Sequence, residues 1–129
     1  MKRVLSVGQC SFDHRGISQL MKDRFAAEVV SVDDWSQALA RLADESFDLM
    51  LVNRKLDRDY SDGLDVIRHL KSDPDHAGLP VMMITNYPEH QRLAIDAGAE
   101  PGFGKLELAK SETVDKLRPF LDGDHPTTS

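Results

Sequence analysis

Apolar residues gather in four short runs along the chain, separated by stretches with a longer, helical spacing. The runs are RVLSVG at 3–8, AEVVSV at 27–32, FDLMLV at 47–52 and LPVMMIT at 79–85. Each has strand length. The last two are apolar on both alternating faces, as strands covered on both sides of a parallel sheet must be. PGFGK at 101–105 is a weaker fifth strand, because it carries two glycines.

Helical spacing fills the gaps. Ile17, Leu20, Met21 and Phe25 share one face, and Trp35, Ala38, Leu39 and Leu42 share another, with Asp33 or Asp34 placed to cap it. Leu64, Ile67 and Leu70 follow Asp62-Gly63 and end before Pro74. Leu93, Ala94 and Ala97 predict a fourth helix stopping at Gly98. Val114, Leu117, Phe120 and Leu121 predict a fifth, closed by Gly123. Residues 1–122 therefore read as one doubly wound α/β domain on a five-stranded parallel sheet, and 123–129 as a flexible polar tail. The working crevice of such a sheet lies beyond the carboxyl ends of its strands. That selects Gly8, Gln9 and Cys10, then Asn53, then Thr85 and Asn86, then Lys105.

Composition narrows the class. With 129 residues, 40% hydrophobic and 29% charged, the chain suits one globular domain. A net charge of −6 and scattered basic residues argue against nucleic acid or an anionic membrane as partner. No segment has the roughly 20 apolar residues of a membrane span, and the N-terminal apolar run is too short for a signal peptide. The single cysteine, Cys10, excludes an intramolecular disulfide, and a cytoplasmic location is expected.

The ordered set VLSV, DLMLV leading to Asn53, DGLDVIRHLKSDP, LPVMMIT ending on Thr85, and AGA before GFGK resembles the response-regulator receiver domain over roughly residues 2–122. The resemblance implies a flavodoxin-like fold with strand order 2-1-3-4-5 and a place in bacterial two-component signalling. In that family a histidine kinase phosphorylates an aspartate after the third strand. Two acids after the first strand help hold Mg²⁺, and a Thr or Ser and a Lys contact the phosphoryl oxygens. A hard cation needs carboxylate oxygens, and the phosphoryl charge needs cations around it.

Carried onto this chain, the resemblance puts Asn53 at the acceptor position and Gly8 and Gln9 at the acidic pair. Thr85 and Lys105 match. Leu106 replaces the usual proline, and the aromatic switch position falls on Gly102, with Phe103 one place late. The loop after Asn53 is about two residues longer than usual, with Asp57 where a proline is common. A degenerate, stand-alone pseudo-receiver is therefore expected, acting by protein–protein contact on a kinase or effector. It would be no enzyme, with no metal or cofactor, as a monomer or weak homodimer. Asn53, Gln9, Thr85 and Lys105 are expected to share one hydrogen-bonded network. Tyr87 and Phe103 are candidate interaction residues on a face built from the fourth helix, fifth strand and fifth helix.

Other readings stay open. Asp57, Asp59 or Asp62 could serve as an unusual acceptor, although Asp62-Gly63 reads first as a turn and cap. The crevice could sense a small molecule, or Cys10 beside His14 could be redox-active, although a cysteine just past a strand is usually a small buried hydrophobe. Asp13 reads as the N-cap of the first helix. Trp35 reads as core.

Overall fold

In a computed structural model, which describes residues 1–122, strands and helices alternate along the described residues. They are β1 (Arg3–Val7), α1 (Ser11–Phe25), β2 (Glu28–Val32), α2 (Trp35–Asp44), β3 (Leu49–Asn53), α3 (Gly63–Ser72), β4 (Val81–Ile84), α4 (Pro88–Asp96), β5 (Glu100–Phe103), a 3-10 turn (Lys105–Glu107) and α5 (Ser111–Leu121). All five strands are parallel, in the order β2-β1-β3-β4-β5. The tail and the Gly123 helix stop lie outside the described residues.

Alternation along the strands divides the core between two layers. Leu5, Val7, Met50, Val52, Val81 and Met83 face α2, α3 and α4, meeting Ala38, Ile67, Leu70 and Ala94. Val4, Leu49, Leu51, Met82, Ile84 and Phe103 face α1 and α5, meeting Ile17, Met21 and Leu117. The central strand β3 is buried at every position, as its uninterrupted apolar run requires. Burying such a Leu or Val is worth about 1.5–3 kcal/mol each, so β3 and its two neighbours are the stable base of the crevice. The weak fifth strand forms, but its register against β4 shifts between Met82 and Ile84.

Helix ends follow their side chains, with one exception. Asp34 caps α2 by accepting from the Gln37 N–H at 2.9 Å, and Asp62 caps α3 by accepting from the Leu64 N–H at 2.9 Å. The cap of α1 is Cys10, not Asp13: the helix begins at Ser11, and Cys10 Sγ accepts from the Asp13 N–H at 3.4 Å. Cys10 is accordingly half-buried and polar in role rather than a core residue. Leu39 and Leu93, expected on buried faces, lie largely exposed. Trp35, Ala38 and Leu42 make the contacts of α2, and Ala94 and Ala97 those next to Leu93, so both leucines fall at the margin of their stripes. Trp35 is half-buried and stacks on His69 with centroids 5.7 Å apart.

Candidate functional site

The strand ends open into a cavity of about 420 Å³, lined by Cys10, Asn53, Thr85, Asn86 and Lys105 of the strand-end positions, but not by Gly8 or Gln9. Its β1–β3 side is closed from within. Gly8 turns the chain out of β1 with φ +79°, and a Cβ built there would overlap the Leu56 side chain and lie 3.0 Å from Leu56 Cα. Leu56 itself is 2% exposed and belongs to the core. The long loop after β3 folds back to put it there. Its Asp57 N–H donates to Gly8 O at 2.9 Å, its Leu56 N–H donates to Ser61 O at 2.9 Å, and Lys55 pairs with Asp62 as an antiparallel bridge. Asn53 Nδ2 donates to the same Gly8 O at 3.2 Å. The carbonyl of Gly8 thus accepts two hydrogen bonds from the chain itself.

The β4–β5 side keeps its expected residues with other partners. Lys105 Nζ lies 2.6 Å from Asp13 Oδ2, which also accepts from Cys10 Sγ at 3.2 Å. Thr85 Oγ1 accepts from the Tyr87 N–H at 3.3 Å and shares a hydrogen bond with His90 Nδ1 at 3.3 Å. Neither reaches Asn53 among the described hydrogen bonds, and Gln9 is buried with neither amide atom partnered there. The expected four-residue network is therefore not formed. Nearer partners took three of its members: an acid in the first turn of α1 for Lys105, an imidazole on α4 for Thr85, a backbone carbonyl for Asn53.

At the aromatic switch position, a Cβ on Gly102 would overlap Met83 O. Gln91 spans the gap instead, donating from Nε2 to Met83 O at 2.8 Å and accepting from the Gly102 N–H at 2.9 Å, while Lys116 Nζ donates to Gly102 O at 2.9 Å. Phe103 is no surface residue. It is 1% exposed, because strand alternation turns it into the α1–α5 layer. Tyr87 is open to solvent.

The residues present do not fit a divalent cation. The mouth offers a glycine, a buried glutamine and an asparagine where carboxylates would be needed, and Asp13 is taken by Lys105. Among the described residues no group of three or more His, Cys, Asp or Glu is arranged to hold a metal, and no helix is long and apolar enough to cross a membrane. Sequence reasoning missed Leu56, His90 and Gln91, and read Asp13 as a helix cap rather than as the partner of Lys105. Only the first left a signal, since a glycine at a position that usually carries an acid invites the question of what fills the space.

The comparisons agree with this architecture. The family model described as the response regulator receiver domain matches residues 11–117. The gliding motility regulatory protein of Myxococcus xanthus is 30% identical over 94 residues, covering 69% of this chain but only 12% of that much longer protein. The structure of the phosphorylated cyanobacterial phytochrome response regulator RcpA superposes with a TM-score of 0.72 at 23% identity, covering 99% of both chains. The chemotaxis response regulator CheY4 of Vibrio cholerae gives 0.68 at 21% identity, covering 95% of this chain and 97% of that one. With an ordered sequence match over most of its length and the fold to go with it, this chain belongs to the response regulator receiver domain family of two-component signalling.

Proposed function

We propose that this receiver passes its signal by protein–protein contact without aspartyl phosphorylation. One observation carries the reading: Leu56 fills the space that a side chain at position 8 would need, beside an amide at the acceptor position. An amide is a far poorer nucleophile than a carboxylate, and it satisfies itself with neutral hydrogen-bond partners. Lys105 is already paired with Asp13, so the cation is not waiting for a phosphoryl oxygen. The module is then a binding protein rather than an enzyme, and its partner is a signalling kinase or effector. The α4–β5–α5 face suits that role, with Tyr87 and Ile95 exposed along it.

The test is an amide NMR titration of the protein with Mg²⁺ and then with beryllofluoride, a mimic of an aspartyl phosphate. No resonance near Asn53, Thr85 or Lys105 should move at millimolar ligand. Saturable shifts would overturn the reading and point to Asp57. Its carboxylate lines the cavity, whereas Asp59 and Asp62 are occupied with Ser61 and Leu64. Asp57→Asn would then abolish the response.

A further inference from the structure

Two tyrosines line the cavity, and of these Tyr60 has no role in the reading above. Tyr60 holds φ +59°, the left-handed region that a bulky side chain ordinarily avoids, and the residue is 75% exposed, so burial does not offset the strain. Its loop enforces the conformation. The Tyr60 N–H donates to Leu56 O at 2.8 Å, and Asp59 Oδ1 accepts from both the N–H and the hydroxyl of Ser61. Backbone strain that presents a ring to solvent points to a use for the ring. Tyr87, from the loop before α4, is 59% exposed and is set edge-on to His90 with centroids 5.3 Å apart. Both tyrosines line the 420 Å³ cavity, with Leu56 and Ile84 among its apolar lining. This volume and mixed lining suit a small organic ligand.

Charge selects the ligand's chemistry. Arg54, Lys55 and Lys105 line the cavity against Asp13 and Asp57. Lys105 and Asp13 neutralise each other, and Arg54 is drawn only loosely to Asp62 at 3.6 Å. Lys55 has no ion-pair partner among the described residues, so the lining is left with an excess cation.

We infer that this cavity binds a small planar aromatic anion, its ring against Tyr60 and Tyr87 and its anionic group at Lys55 and Arg54. The inference rests on the reading of the crevice as metal-free, since a loaded phosphorylation site would occupy the same volume. Such a ligand bridges the loop after β3 and the loop after β4, and so couples the crevice to the α4 face that carries Tyr87.

The experiment uses 2-naphthoate as probe, with the full chain in Mg²⁺-free buffer, followed by amide NMR. Saturable shifts confined to residues 54–60 and 85–90 are expected. The neutral 2-naphthamide should bind about threefold more weakly, and acetate should produce no shift. Tyr60→Asn removes the ring while suiting the left-handed backbone, and with Tyr87→Ala it should weaken naphthoate about fivefold. Lys55→Gln should weaken it and Asp57→Asn strengthen it, each by about threefold. Equal binding of acetate, equal binding of naphthamide, shifts elsewhere, or full affinity in Tyr60→Asn would each overturn the inference. A beryllofluoride response would remove the phosphorylation-independent reading, whereas silence toward naphthoate alone would remove only this one.

Discussion

The two sides of the crevice depart from the receiver pattern in different ways. On the β1–β3 side the residues themselves differ: a glycine and a glutamine stand at the positions the resemblance gives to the acidic pair, an asparagine at the one it gives to the acceptor, and Leu56 occupies the space beside Gly8. On the β4–β5 side the residues are kept, but Lys105 is bound to Asp13 and Thr85 to His90. On the proposed reading, the first kind of change removes chemistry and seals the place where it would occur. The second leaves the chemistry in place but commits it to other partners. A retained residue is therefore weaker grounds for a retained function than a retained environment.

The largest expected effect comes from trying to restore the first acid. Gly8→Asp places a Cβ against Leu56 at φ +79°. Left-handed strain of about 1–2 kcal/mol and overpacking of about 1–3 kcal/mol should together cost roughly 2–5 kcal/mol in urea unfolding. Leu56→Ala alone, which empties a buried site, should cost about 2–5 kcal/mol. Because the same space is at issue, the double variant should be more stable than the sum of the two losses by about 1 kcal/mol or more. Strict additivity would mean that Leu56 does not block the acid.

A sharper form restores aspartate at Gly8, Gln9 and Asn53 together. Millimolar Mg²⁺ should bind by amide NMR only when Leu56→Ala is also present. Binding with Leu56 intact would show that the three missing carboxylates, rather than the sealed space, are what keep metal out.

On the other side the effects are smaller. Asp13→Asn frees the Lys105 ammonium. The pair is partly exposed, so about 1 kcal/mol of stability is expected to go, and the Lys105 ammonium nitrogen resonance should move. Thr85→Val removes a bond to His90 and should cost about 0.5–1.5 kcal/mol. If either loss matched that of Gly8→Asp, the contrast between a sealed and a merely re-partnered side would fail.

How much of this was legible in the sequence depended on whether it lay within one element or between elements. Strands, helices and strand order follow from local periodicity and the receiver resemblance, and the caps by Asp34 and Asp62 are local too. Asn53, Gly8 and Gln9 were recognisable as substitutions because they are positions. What Lys105 touches is not a position: Asp13 is 92 residues away, and it faces Lys105 only because Cys10 takes over the cap and starts α1 two residues before Asp13. Phe103 shows the same limit at short range. Its rank beside Gly102 suggested a surface aromatic, but the pleat of β5 decides its direction, and the pleat turns it inward.

The smallest prediction concerns the loop that seals the first side. Hydrogen bonds from the Ser61 hydroxyl, and then from the Ser61 N–H, hold the Asp59 carboxyl below its ordinary value of 3.8. A carboxyl depressed in the folded protein contributes stability that is present above 3.8 and lost as pH falls through its lower folded value. The loop around Tyr60 should therefore loosen only below 3.8, seen as faster amide exchange at Ser61 relative to residues in β3. In Asp59→Asn the charge is absent at every pH, so that acid-dependent step should vanish. The group is fully exposed, so global unfolding should scarcely move. If the step persisted in Asp59→Asn, the loop would owe its acid sensitivity to another carboxylate, and the strained Tyr60 turn would be held by its backbone hydrogen bonds, Tyr60 N–H to Leu56 O and Leu56 N–H to Ser61 O, and by the Lys55–Asp62 bridge.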